Sequence, residues 1–175
     1  NDSSITSVTL PEKLTSINGY AFESDTSLTD IKLPNSLTLI DEDAFANSGL
    51  LSIDIPGSVT EIGSKAFTGV PLKSINLNEG LQKISNMAFY LNSEAKNTIN
   101  EITIPDSVTT IGNSILGNRV VNTLNIGDGV ASMDSTMFNK LIVSNLNIGK
   151  NSSKSQEILE DGFKGLDATP EKTIN

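Results

Sequence analysis

Residues 50–67 read LLSIDIPGSVTEIGSKAF, and the rest of the chain is a set of imperfect copies of that stretch. Its apolar residues Leu50, Ile53, Ile55, Val59, Ile62 and Phe67 recur at nearly fixed offsets. Laid on this template, the chain returns ITSVTLPEKLTSINGYAF from Ile5, LTDIKLPNSLTLIDEDAF from Leu28 and LKSINLNEGLQKISNMAF from Leu72. INEITIPDSVTTIGNSIL follows from Ile99 and VNTLNIGDGVASMDSTMF from Val121, with a degenerate copy over residues 143–163. Repeat starts therefore fall 23, 22, 22, 27, 22 and 22 residues apart. Self-similarity at that period is the signature of a solenoid, in which each coil touches only its neighbours.

Within each copy the last three positions of L-x-x-I-x-L alternate with period two, as a half-buried strand does. One such strand per coil stacks into a long parallel sheet, with about 4.8 Å between coils. Directly after the strand stands proline at Pro11, Pro34, Pro56 and Pro105, and Asn78, Gly127 and Gly149 hold the same column. Proline has no N–H to give to a ladder, so this column ends pairing and turns the corner. A second apolar pair, such as Val59 with Ile62, predicts a second, short-stranded sheet. Each coil closes on Ala-Phe, at Phe22, Phe45, Phe67 and Phe89, in a stretch short enough for one turn of 3₁₀ or α helix. Parallel crossovers are right-handed almost without exception, so the expected fold is a right-handed solenoid of about seven repeats in one domain.

A lone coil cannot stand. It turns about six apolar side chains inward, worth roughly 1.5–3 kcal/mol each when buried, against about 1–2 kcal/mol for ordering each backbone residue. Stacking completes the burial. Two irregularities interrupt it: five extra residues within YLNSEAKNT at 90–98, and KNSSKSQ at 150–156. The first is either a tolerated bulge or a functional surface loop, with Tyr90 as its candidate contact residue. Lys172-Thr173-Ile174-Asn175 resembles residues 97–100, where a coil begins, so an eighth repeat is expected to start there. The chain opens without methionine and stops inside a pattern, as a piece of a longer protein would.

Composition narrows the function classes. The net charge is −9 and Arg119 is the one arginine, which argues against nucleic acid or an anionic membrane surface as partner. There is no cysteine and no histidine, so disulfides, zinc sites and imidazole bases are excluded. No apolar run reaches the ~20 residues that span a bilayer. Neither a cofactor nor a metal is expected. The run Asp41-Glu42-Asp43 has no acidic counterpart at Asn18-Gly19-Tyr20 or Gly63-Ser64-Lys65, so it reads as surface charge rather than a calcium site. Without an activated nucleophile or a deep cleft, catalysis is not expected.

The template L-x-x-I-x-L-P-x-S-V-T-x-I-G-x-x-A-F resembles the BspA-like leucine-rich repeats, most clearly at residues 53–69 and 102–112. The resemblance implies a leucine-rich-repeat solenoid in a secreted or cell-surface protein, found mainly in bacteria, with an adhesive or host-contact role. Family members often continue the closing motif as AFxGC. Here that cysteine column holds Asp25, Ser48, Val70, Asn92, Arg119, Leu141 and Leu166; the family's cysteine is a small apolar filler, so the departure is not expected to threaten the fold.

Solenoid columns turn the repeat into surface chemistry. The outward column on the strand reads Thr9, Lys32, Asp54, Asn76, Thr103, Asn125, Asn147, and two residues earlier Ser7, Asp30, Ser52, Ser74, Glu101, Thr123, Asn145. The candidate ligand face is Lys32, Asp54, Asn76, Thr103, Asn125 and Asn147, flanked by Asp30 and Glu101. It is either a shallow polar groove for a protein or glycan on another cell, or a solvated face whose Asn and Thr ladders support the sheet. Tyr20 and Tyr90 are expected to be partly buried beside Phe22 and Phe89. Cut coil ends expose unpaired strand edges, so end-to-end self-association through residues 5–10 or 172–175 is expected as a consequence of truncation. Two functions remain open: a surface interaction module, or a spacer without a ligand of its own.

Overall fold

The computed structural model describes residues 4–93, 97–130 and 136–149, and the backbone of residues 171–174. In chain order its strands are β1 (Ser16–Ile17), β2 (Leu39–Ile40), β3 (Ser52–Ile55), β4 (Glu61–Ile62), β5 (Ser74–Leu77) and β6 (Lys83–Ile84). They continue as β7 (Thr98–Ile104), β8 (Thr110–Ile111), β9 (Val120–Ile126), β10 (Ile142–Ile148) and β11 (Glu171–Ile174). Every pairing is parallel and joins equivalent residues of successive coils, as in Ile53 with Ile75 and Ile62 with Ile84. The chain is a β-solenoid, and its walls are three.

The first wall is the strand sheet, whose alternation is visible in the eBeB burial of β3 and β5. It is not continuous. Pairing joins β3 to β5, and separately β7 to β9, β10 and β11. The joined coils carry Asn78, Gly127 or Gly149 at the corner, and each donates its N–H to the coil before: to Ile55 O at 3.3 Å, Ile104 O at 2.9 Å and Ile126 O at 2.9 Å. At the gaps the corner residue is Pro34, Pro56 or Pro105, which has no N–H to donate. Proline thus ends the strand within its own coil and also removes the rung to the preceding one. Asn78→Pro is accordingly expected to keep the fold and uncouple β3 from β5. It would cost about 1–2 kcal/mol for the lost hydrogen bonds, read as faster amide exchange at Ser74–Leu77.

The second wall is the five-stranded sheet β1-β2-β4-β6-β8, two residues per strand, which runs unbroken past the insertion. The third is the Ala-Phe wall. The turn expected there is present, with i→i−3 bonds from Ala44 N–H to Asp41 O and from Ala46 N–H to Asp43 O, but no helix forms among the described residues. The intervening amides leave the coil: Asp43, Phe45 and Asn47 donate to Ser64, Ala66 and Thr68 of the next one. Backbone in the left-handed region at both ends of the turn makes this alternation, with φ of 53° at Asp43 and 57° at Asn47. The same positions are left-handed in other coils, at Lys65, Met87, Ser114 and Asn118. Asp43 is also held above the usual carboxylate range, chiefly by partial burial, with Lys65 opposing and Glu42 and Glu23 adding. Asparagine tolerates this backbone at least as well as aspartate and carries no charge to desolvate. Asp43→Asn is expected to raise the unfolding midpoint slightly, by less than about 0.5 kcal/mol in free energy, as a thermal melt at neutral pH would show.

Between the walls lies one apolar spine. The template residues Leu50, Ile55, Val59, Ile62 and Phe67 have no solvent exposure. Phe22, Phe45, Phe67 and Phe89 stack with centroids 5.1, 5.1 and 5.2 Å apart and ring planes within 10° of parallel. In the next coil Leu116 takes the phenylalanine position and is equally buried.

At the downstream end β11 pairs with β10, so a further strand does stack there, but in another register from the one expected. Ile174 aligns with Ile148, at the end of the strand segment, rather than with Val143 at its start. The resemblance to residues 97–100 misplaced it by five positions because a four-residue match cannot choose between two isoleucine columns. Phe163 and Leu166 lie outside the described residues, as does the whole of the 150–156 irregularity.

Candidate functional site

The strand face presents its outward column along several shallow clefts, two of which hold most of the candidate residues. Asp30, Lys32 and Asp54, with Asn78, line one of about 360 Å³ across the second and third coils. Thr103, Asn125 and Asn147 line another of about 420 Å³ across the fifth to seventh. Asn76 lies between the two, and Glu101 flanks the second.

The amides on this face are largely spent on one another. Asn76 Nδ2 donates to Asp54 Oδ1 at 2.7 Å, and Asn78 Nδ2 reaches the same oxygen at 2.9 Å. Asn147 Nδ2 donates to Asn125 Oδ1 at 2.7 Å. Asn125 Nδ2 donates in turn to Glu101 Oε1 at 2.7 Å and Thr103 Oγ1 at 3.1 Å. Each NH₂ group points toward the N-terminal coil, and each chain of donors ends on a carboxylate. That orientation turns the Asn147 carbonyl oxygen away from the N-terminal coil. The corner acids are similarly engaged: Glu79 takes the N–H groups of Asp106 and Ser107 at 3.0 and 3.1 Å, and Asp106 that of Asp128 at 2.9 Å. Gly127 lets the coils approach here, since a Cβ on it would sit 2.7 Å from the backbone of Pro105 and Asp106.

Tyr90 is a strut rather than a free contact. It is half-buried, its ring lies against Gly117, and its hydroxyl accepts from Asn118 Nδ2 at 2.9 Å. Tyr20, expected to be partly buried beside Phe22, is instead 55% exposed. The tight left-handed turn at φ 62° carries its side chain outward. Among the described residues, no group of three acids could hold a metal ion and no helix is long and apolar enough to cross a membrane.

The cysteine column differs most from the sequence reading. Where the family carries a small apolar cysteine, this chain buries Asp25, Ser48 and Arg119. Arg119 has no exposure. Its Nη2 donates to Val70 O at 2.8 Å, its Nη1 to Leu72 O at 3.3 Å and its Nε to Phe89 O. One side chain from the fifth coil thus holds carbonyls of the third and fourth, across the seam where the insertion falls and β5 and β7 fail to pair. Burial pulls the guanidinium pKa down to about 10, which leaves it charged at neutrality. The available signal was a lone arginine in an otherwise uncharged column after the insertion, at 92–119–141.

Equivalent leucines and isoleucines facing one spine from parallel coils of about 22 residues define a leucine-rich-repeat solenoid. A family profile described as BspA type leucine-rich repeat region matches residues 1–96 and 93–166, in six copies. The chain belongs to the BspA-type leucine-rich repeat family. By structure it is similar to the pneumococcal vaccine antigen PcpA, at 21% identity and a TM-score of 0.62 over 83% of this chain. It spans 45% of the length of that chain. A leucine-rich repeat protein from Bacteroides ovatus also resembles it, at 15% identity and a TM-score of 0.40, covering 95% of this chain and 76% of the other. A search of characterised proteins by sequence found no match.

Proposed function

We propose that this chain is a noncatalytic interaction module of a cell-surface or secreted protein, holding a protein or glycan partner of another cell against its strand face. The observation that supports it is the cleft of the fifth to seventh coils, where Thr103, Asn125 and Asn147 stand in one row at coil spacing. Fixed amides oriented by their neighbours are preorganised, so a ligand rich in hydroxyl or amine donors meets acceptors that need no rearrangement. Membership of a repeat family, and likeness to a protein described as a vaccine antigen, support the surface location.

The test is a binding screen of the full chain against immobilised glycans and extracellular-matrix proteins, with Thr103→Trp as the blocked control. Thr103 is exposed, so bulk there fills the cleft without entering the core. A partner whose binding falls at least tenfold in the variant supports the reading. Binding that ignores Thr103→Trp contradicts it.

A second reading, a spacer that holds other modules off a surface, is favoured by a different observation. Among the described residues the large apolar side chains exposed to solvent are Tyr20 and Leu51 alone, and interface anchors are typically aromatic or arginine. A screen in which no partner binds would favour the spacer.

A further inference from the structure

The row in the cleft of the fifth to seventh coils has a fixed orientation, and its head lies outside the cleft. Glu101 does not line the cleft. Its Oε1 nevertheless takes one hydrogen of the Asn125 amide at 2.7 Å, and Thr103 Oγ1 takes the other at 3.1 Å. An amide NH₂ has two hydrogens, so Asn125 has no donor left. Its Oδ1 accepts from Asn147 Nδ2 at 2.7 Å, and an amide oxygen can accept twice. Asn125 thus offers the cleft one acceptor site and no donor.

A carboxylate only accepts, so Asn125 cannot turn over while Glu101 faces it. The adjacent pair shows the contrast: Asn122 Nδ2 donates to Asn100 Oδ1 at 3.2 Å, and both of those amides can turn together and keep a bond. The orientation of Asn125 fixes the neighbouring hydroxyl as well. Thr103 Oγ1 already accepts from Asn125, and no acceptor among the described residues takes its proton. Thr103 therefore stands as a donor beside the Asn125 acceptor, both on the wall of the cleft. A hydroxyl satisfies the two at once, donating to Asn125 and accepting from Thr103. An ammonium has no lone pair for Thr103, and a carboxylate has no proton for Asn125.

We infer that this cleft reads a carbohydrate hydroxyl, and that Glu101 is the positioning residue that makes it do so. The inference rests on the interaction-module reading and narrows its partner to a glycan, the ligand class whose main polar group is the hydroxyl.

Glu101→Lys is the variant that inverts the row, because an ammonium only donates and Asn125 must turn its oxygen to it. Glu101 is exposed, so the unfolding midpoint is expected to move by no more than about 2 °C. In the isotope-labelled chain without ligand, NMR coupling through the hydrogen bond is expected from the Asn147 side-chain nitrogen to the Asn125 side-chain carbonyl carbon. In the variant it should run from the Asn125 nitrogen to the Asn147 carbon. A coupling that keeps its direction in the variant, or is missing from the unmodified chain, would overturn the role of Glu101. Against immobilised glycans, in about 0.5 M salt to screen the change of charge itself, Glu101→Lys is expected to weaken binding at least tenfold. Thr103→Val, which removes the hydroxyl at nearly constant shape, should do the same. A binder blocked by Thr103→Trp but indifferent to Glu101→Lys, or one that still binds after its glycans are removed, would overturn this inference and leave the module reading standing. A screen with no binder would overturn the module reading and the glycan with it, while the coupling still decides whether Glu101 orients the row.

Discussion

Arg119→Ala is expected to lower the stability of the chain by about 3–5 kcal/mol, the range for breaking a buried charged network by removing one partner. The alanine takes the guanidinium donors from the carbonyls of Val70, Leu72 and Phe89; Val70 O keeps the N–H of Leu72 at 2.9 Å, and each buried acceptor left unsatisfied costs roughly 1–3 kcal/mol. For a chain of this length a loss of that size moves the unfolding midpoint down by about 6–20 °C. Arg119→Lys keeps the charge without the planar fork that reaches three oxygens at once, so it is expected to fall between alanine and the unmodified chain. The pH dependence has a definite sign. Burial holds folded Arg119 near 10, below the ordinary guanidinium range, so above that pH, until the unfolded chain also deprotonates, the unfolded chain binds more protons and this residue's contribution rises with pH. Below pH 10 both states are charged and it contributes no slope. With no histidine in the chain, melts between pH 6 and 9 should share one midpoint within a degree or two. A marked dependence there would point to a titrating group that Arg119 does not explain.

Phe67→Ala is the second large effect, also about 3–5 kcal/mol, as for other large aromatic-to-alanine changes in cores. Phe67 has no exposure and is sandwiched between Phe45 and Phe89 at 5.1 and 5.2 Å. Its removal opens a gap in the middle of the ring column rather than at an end. The backbone on either side is pinned, with Phe67 N–H on Ala88 O at 2.7 Å and Phe45 N–H on Ala66 O at 2.8 Å, so the walls cannot collapse into it. Phe22→Ala should cost markedly less, because that ring is half-buried and has one stacked neighbour. Chemical denaturation of the pair checks the order. Equal costs at the two positions would mean that the column does not act as a column. A double-mutant cycle between Phe45 and Phe67 should return a coupling of about 0.5–1.5 kcal/mol.

The ring column was legible in the sequence because Phe22, Phe45, Phe67 and Phe89 recur at 22- or 23-residue spacing, and a fixed offset in a solenoid becomes a fixed place in space. The same regularity located Thr103, Asn125 and Asn147 on one outward row. What they do with one another was not legible. An asparagine side chain spans the distance between coils, so a column of them bonds to itself, and the direction of that bonding follows from where the nearest carboxylate stands.

That a proline corner ends pairing within its own coil follows from the sequence of that coil. Its second effect, on the coil before, needs the identity of the carbonyl that goes without a donor, and that is a property of two coils at once. Arg119 escaped for the opposite reason. It occurs once, so no column displays its role, and its side chain reaches back through two coils to carbonyls 47 and 49 residues away in the chain.

The most direct test of the stacked-coil account is a set of distances measured along it. The chain has no cysteine, so nitroxide pairs can be introduced cleanly at the outward column, with Lys32→Cys as the fixed partner of Thr103→Cys, Asn125→Cys and Asn147→Cys. Coils spaced about 4.8 Å apart place those partners three, four and five steps from Lys32. Electron-electron distances are predicted to lengthen by one equal step from each pair to the next, reaching about 24 Å for the last. Distances that fail to increase in that order, or a first distance longer by more than two steps than the three expected across the insertion, would contradict it.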